Sequence, residues 1–233
     1  MKTFIPTWSF SRIQDFEQCK RRAKLKYLDK IPEPERPLPP GKTEHANDRG
    51  TRIHDAGERF ARGGIELIPE LQKFKPEFER LKALYATGNV SLEGEWAMDR
   101  SWEPVAWASS DAWLRLKLDA LVFLSPTEAV AIDYKTGKRF GNEVKHNEQL
   151  QLYQLVTFLR YPKLETIHVE LWYLDVDELV TVTYTRNQGL RFRRSFENRG
   201  NAMTTCTEFP PNPNIFSCKW CPYKGTEHCD KGV

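Results

Sequence analysis

No stretch of this 233-residue chain approaches the roughly 20 consecutive apolar residues needed to cross a bilayer as a helix. The opening MKTFIPTWSF lacks the uninterrupted apolar run of a secretory signal, so a cytoplasmic location and no membrane partner are expected. Neither sign of charge dominates. With 35 Lys and Arg against 32 Asp and Glu, the formal charge is +3, which permits a nucleic-acid partner without demanding one. Internal repeats and low-complexity tracts are absent, so neither a repeat array nor a flexible spacer is indicated. Cysteine is scarce and odd in number: Cys19, Cys206, Cys218, Cys221 and Cys229. Three of the five crowd the C-terminal segment of a chain read as intracellular, which favours metal binding over a disulfide framework. What remains is a globular composition, 39% hydrophobic and 29% charged, expected to form one domain over residues 1–233.

Periodicity organises that domain. Ser11-Arg12-Ile13-Gln14 has the form of a capping box, and the apolar spacing behind it predicts a helix to about Leu28 with a basic outer face. Five prolines between Ile31 and Gly41 impose an extended loop. Helices are predicted over Arg49–Arg62, stopped by Gly63-Gly64, and over Glu77–Tyr85, ended by Gly88. The period then changes, giving strands at Ser91–Met98, Trp113–Leu124 and Glu128–Tyr134, the last two joined at Ser125-Pro126-Thr127. Val144–Leu159 returns to helical spacing and ends before Pro162. Strands at Thr166–Leu174 and Leu179–Tyr184 flank an acidic turn, and a helix over Gln188–Thr204 precedes the connector Pro210-Pro211-Asn212-Pro213. This order predicts an α/β fold with a central mixed sheet flanked by helices.

The chemistry concentrates at the ends of the two central strands. Side chains alternate along a strand, so Asp133 and Lys135 share a face while Tyr134 points away. Pairing of the strands brings Asp119 beside them. Two converging carboxylates repel unless a cation joins them, and oxygen ligands suit hard Mg²⁺ or Mn²⁺. Such a site, with Lys135 stabilising charge on phosphorus, is suited to phosphodiester hydrolysis. His54 lies on an upstream helix and Glu95 on an upstream strand, with Glu93 and Asp99 nearby. Gln149 and Tyr153, at i and i+4, present an amide and a phenol on one helical face. Lys138 and Arg139 follow the active strand as loop charges. Trp102, Trp107 and Trp172 carry rings able to stack on bases, although burial is the commoner fate of such residues.

The ordered set Gly50-Thr51-Arg52-Ile53-His54, Asp119, Ile132-Asp133-Tyr134-Lys135 and Gln149-Leu150-Gln151-Leu152-Tyr153 resembles the PD-(D/E)xK nuclease superfamily. Within it, the chain is similar to the RecB-like branch, which includes the iron-sulfur nucleases of CRISPR adaptation and stand-alone phage recombination exonucleases. The resemblance implies a restriction-endonuclease-like core. It implies that His54, Asp119, Asp133 and the Tyr134 carbonyl hold Mg²⁺ or Mn²⁺, that Lys135 is catalytic with Asp133, Asp119 and Glu95, and that Gln149 and Tyr153 support the site or the DNA. Where the family often has Gly-Arg before its lone aspartate, this chain has Lys117-Leu118.

Cys218-Lys219-Trp220-Cys221 is a CxxC that Cys229 joins, three thiolates of a site that ordinarily takes four. His228, Cys206 and Cys19 are the available fourth ligands. The resemblance selects Cys19, giving a 4Fe-4S cluster, with Zn²⁺ as the alternative, that ties residues 1–47 to 206–233 in one metal-cluster subregion and leaves Cys206 spare. The function so implied is a metal-dependent DNA exonuclease acting on single strands or accessible ends in recombination or repair. A recombination or repair protein is an implied partner, and ring-forming relatives imply oligomers. The competing readings are a non-catalytic or partner-activated DNA-binding protein and a zinc-stabilised interaction domain.

Overall fold

Residues 3–137 and 139–233 are described by the computed structural model; Lys138 lies outside them. Six strands form one sheet in the order β2-β1-β3-β4-β5-β6: β1 Val90–Met98, β2 Pro104–Val105, β3 Leu114–Ser125, β4 Glu128–Lys135, β5 Thr166–Tyr173 and β6 Glu178–Thr185. β1, β3 and β4 are successive antiparallel neighbours, and the two-residue turn between β3 and β4 can join strands only in that sense. β4 and β5 are parallel from Glu128↔Thr166 to Lys135↔Tyr173, and the crossover this demands is the helix α5, Glu143–Arg160. β6 closes the edge antiparallel to β5 and alternates between half-buried and exposed positions.

Helices cover both faces. On one lie α5, α1 (Phe10–Gln18) and α7 (Arg193–Thr204), whose Leu152, Val156, Ile13, Phe196 and Met203 share a core with Leu116, Leu118 and Ala131. On the other lie α3 (Ala46–Ala61) and α4 (Lys75–Ala86), with Ile53, Phe60, Phe78 and Leu81 against Ala120, Ile132, Tyr134 and Trp172. At the N-terminus, Trp8 exchanges backbone hydrogen bonds with Trp113 and Arg115. Its ring meets Trp113 and Trp102 edge-on, at centroid distances of 5.3 and 6.2 Å. A Cβ on Gly200 of α7 would lie 2.5 Å from Trp8 Nε1, so glycine is what lets α7 press onto this cluster.

Three boundaries differ from the periodicity. Ser9, not Ser11, caps α1, its hydroxyl accepting from the Arg12 N–H. The helix stops at Cys19, which is extended at φ −159°, and resumes as α2 (Lys20–Ala23) followed by a π turn over Lys24–Leu28. The helix expected over Gln188–Thr204 is two, α6 (Arg186–Leu190) and α7. α6 must lie against α5, where a Cβ on Gly189 would come within 2.6 Å of the Phe158 ring, whereas α7 turns to the tryptophans. No helix among the described residues is long and apolar enough to cross a membrane.

Candidate active site

The register of the sheet builds the site. β3 pairs with β1 along Val90–Met98, but its ladder with β4 ends at Ala120↔Ile132. Beyond that point the first half of β3 stays with β1 while the end of β4 stays with β5. The sheet forks, and Asp119 and Asp133 are the next residues on the two sides of the fork. A second irregularity coincides with it. Val90 and Leu92 face the α3 side, whereas Trp96 and Met98, of the same parity, face the α5 side; Leu116 and Leu118 share the α5 side with Leu121. Both strands exchange faces at the opposed residues Glu93 and Asp119. Glu93 absorbs the change in a left-handed conformation, φ +46°, which is uncommon for a residue with a Cβ.

Three side chains converge there. One ligand atom from each of His54, Glu93 and Asp119 lies within 4.8 Å of the other two, the one such group among the described residues. α3 delivers His54, since Ile53, Ala56 and Phe60 bury its inner face. Gly57 lets the helix approach, a Cβ there lying 3.1 Å from Phe78 and 3.3 Å from Tyr134. Asp119 is buried and bonded at both oxygens: Oδ1 lies 2.9 Å from His54 Nδ1, and Oδ2 accepts the Tyr134 backbone N–H at 2.6 Å. Burial opposes charge on His54, but the hydrogen bond and charge of Asp119, joined by Asp133, outweigh it and raise its pKa. Burial, then the charges of Asp119 and Glu58, pushes the Glu93 carboxyl up to about 7. An imidazole and two carboxylates crowded in this way make a donor set suited to a divalent cation.

The second cluster lies on the α5 side. Lys135 Nζ sits 2.5 Å from Asp133 Oδ2 and donates to Gln149 Oε1 at 2.8 Å; Gln149 Nε2 donates to the Tyr153 hydroxyl at 2.5 Å. Burial, then the charges of Asp133 and Asp119, raise the Tyr153 hydroxyl well above its ordinary value. Burial raises the Asp133 carboxyl against the opposing pull of Lys135. Tyr134 points the other way, its ring 5.6 Å from His54 and 5.4 Å from Trp172.

Of the sequence-derived residues, His54, Asp119, Asp133, Tyr134, Lys135, Gln149 and Tyr153 gather at the fork. Glu95 does not. It pairs with Lys117 at 2.8 Å, both largely exposed, and Glu93 occupies the place expected for it. The signal for Glu93 was its register opposite Asp119; the parity that would have pointed its side chain elsewhere is broken by its own backbone. A further ion pair frames the site: Arg49 holds Asp175 at 2.9 and 2.7 Å, and Asp175 also accepts the Gly137 N–H at 2.7 Å. The N-terminal end of α3, the end of β4 and the β5–β6 turn are thereby tied together.

Away from the fork, Cys19, Cys218, Cys221 and Cys229 line one small cavity. The Asn212 N–H donates to Cys19 Sγ at 3.4 Å. Burial pushes the Cys221 thiol up, and Cys19 and Cys229 add to it. Cys206 stands apart, donating to the Glu208 carbonyl.

Among curated proteins none matches the chain. A solved structure from Eubacterium rectale, described as that of a candidate exonuclease, is similar at 12% identity and a TM-score of 0.51, over 98% of this chain and 91% of that one. SSO0001 is similar at 13% identity and a TM-score of 0.43, over 98% and 88%. At 12% identity the first of these likenesses speaks to fold alone. The model of the PD-(D/E)XK nuclease superfamily, however, matches residues 7–226, from the strand-like segment before α1 to the cysteine-bearing tail, and on that match the chain belongs to this superfamily.

Proposed function

We propose that the chain is a metal-dependent DNA exonuclease whose active site is the fork between β3 and β4. The observation that carries the reading is the pairing, on opposite sides of one carboxylate, of a cation-binding trio with a lysine held for phosphate. His54, Glu93 and Asp119 would hold Mg²⁺ or Mn²⁺, with Asp133 and the Tyr134 carbonyl alongside. The cation, when bound, supplies Lewis acidity toward the phosphodiester and lowers the pKa of water. Lys135, anchored by Asp133 and Gln149, places its ammonium where charge builds on the phosphoryl oxygens. Tyr153 fixes the Gln149 amide, so the lysine is positioned before substrate arrives. The Asp119–His54 contact fixes the imidazole orientation in the way that carboxylates orient ligating histidines.

The test uses DNA labelled separately at its 5′ and 3′ ends, single- and double-stranded, with Mg²⁺, Mn²⁺ or EDTA. Cleavage from an end, dependent on the cation and reduced at least about 10²-fold in Asp133→Ala and Lys135→Ala, supports the reading. Cleavage retained in Asp133→Ala, free of host nuclease, sinks it. DNA binding without any cleavage would point to a non-catalytic clamp.

The cysteines are read as one metal centre joining residues 1–47 to 206–233 within a single domain. The shared cavity lined by Cys19, Cys218, Cys221 and Cys229 supports one common metal, read as a 4Fe-4S cluster with Zn²⁺ as the alternative. Anaerobic purification checks it: a broad band near about 400 nm that bleaches on reduction is expected, whereas stoichiometric colourless zinc would reject the cluster.

A further inference from the structure

The acidic fork opens onto a groove of the opposite charge. One cavity of about 500 Å³ runs from Lys135, Gln149 and Tyr153 between α5 and the first half of β3. Its wall carries the cations Arg12, Arg115, Lys117 and Lys145 beside a neutral His146, and none of the described residues lining it is a carboxylate. These cations are mostly not neutralised within the protein. The Arg115 side chain makes no ion pair or hydrogen bond among the described residues, and its Nε is buried without a partner. Lys145 stands exposed on α5 with no carboxylate within ion-pair reach among them. Arg12 donates to the Thr7 carbonyl at 3.0 Å and packs over Tyr27. Only Lys117 is paired, with Glu95. Grouped, uncompensated cations are held at an electrostatic cost that an anion relieves.

The groove also holds an aromatic ring that the core does not claim. Trp8, Trp96, Trp102, Trp113 and Trp172 are buried, but Trp107 is half-exposed on the groove wall. The Arg115 guanidinium lies 5.5 Å and the Lys117 ammonium 5.9 Å from its ring centre. Cations alone would suit any polyanion, including an acidic peptide. A ring flanked by cations suits a chain that alternates phosphates with flat π-faces, which is the recognition chemistry of single-stranded nucleic acid. A duplex away from its ends offers phosphates but no free base face.

We propose that this groove is a single-strand subsite in which phosphates lie on Arg115 and Lys145 and a base stacks on Trp107, leading the strand to Lys135. The inference rests on the nuclease reading and adds to it the form of substrate and the side from which it enters. The scissile strand runs between α5 and the first half of β3, and a duplex end must be opened before it is cut.

The experiment is fluorescence anisotropy with labelled oligo-dT and a duplex of equal length, in EDTA, across a salt titration. No cation is present and nothing is cut, so a failure of the nuclease reading leaves this measurement intact. Wild type should bind oligo-dT more tightly than duplex. Trp107→Ala should weaken oligo-dT binding roughly 5- to 150-fold, with Trp107→Phe recovering most of it. Arg115→Gln and Lys145→Gln should each lower the slope of log affinity against log salt by about 0.7. Lys145 is exposed, so its variant tests the groove even where Trp107→Ala disturbs packing, which thermal melting reports. Unchanged oligo-dT affinity in a folded Trp107→Ala, or equal binding of duplex and single strand, overturns the proposal. So does loss of binding in the cation variants alone, competed by polyglutamate, which would make the groove a site for an acidic peptide.

Discussion

Glu93→Gln and Glu95→Gln alter acids two residues apart on β1 and should have opposite consequences. In the cation-free protein, burial and the charges of Asp119 and Glu58 lift the Glu93 carboxyl from 4.5 to about 7. A carboxyl whose folded pKa exceeds its unfolded one opposes folding when ionised: the cost is absent below about 4.5, grows up to about 7 and is constant above. A displacement of that size is worth roughly 3 kcal/mol, which solvent on its open side reduces to about 1–2 kcal/mol. Glu93→Gln removes this cost, so in EDTA at pH 8 the variant should melt about 2–6 °C above wild type, and at pH 4.5 the two should coincide. Adding Mg²⁺ reverses the order. A cation at about 100 times its Kd stabilises wild type by roughly 2.7 kcal/mol, and the variant, having lost one of three converging donors, should forfeit most of that gain. Glu95→Gln breaks only an exposed pair, worth about 0–1 kcal/mol, and should keep the full Mg²⁺ response. Scanning fluorimetry of the three proteins at two pH values, with and without Mg²⁺, decides it. A cation response lost in Glu95→Gln but kept in Glu93→Gln refutes the assignment, and no pH-dependent stabilisation in EDTA refutes the electrostatics.

Other consequences can be checked separately. Gly200→Ala places a Cβ 2.5 Å from Trp8 Nε1 and 2.7 Å from Trp113. It should cost about 1–3 kcal/mol in urea denaturation, and an unchanged midpoint would mean that α7 is not tightly seated. Burial, with Lys135 and Lys145 adding to it, holds His146 down to about 4. Its neutral form is the folded form, so stability is whole above about 6.5 and declines as pH falls toward 4. The difference between wild type and His146→Gln in denaturation midpoint should open over that window and be flat above it. Gln149→Leu removes the acceptor that holds Lys135 at 2.8 Å; kcat should fall while oligonucleotide affinity holds, and a change in affinity alone would contradict a positioning role.

Much of this was legible in the chain itself. Period-two alternation set Asp133 and Lys135 on one face and Tyr134 on the other, and helical spacing put Gln149 one turn from Tyr153, because both patterns are local consequences of backbone geometry. The motif order around them likewise marked His54 and Asp119. Boundaries at Cys19 and near Leu190 were not legible: periodicity continues through both, and it is the packing of α1 and α6 on distant partners that interrupts the helix. Glu93 shows the limit most sharply. Alternation assigns side chains to faces only while a strand keeps its pleat, and here β1 and β3 exchange faces at the residue that matters, a change imposed by the pairing of the two strands. The fork between β3 and β4, and the cationic groove beside it, likewise follow from which strand stays with which neighbour. Such pairings bring together residues far apart in sequence, so tertiary structure alone could decide them.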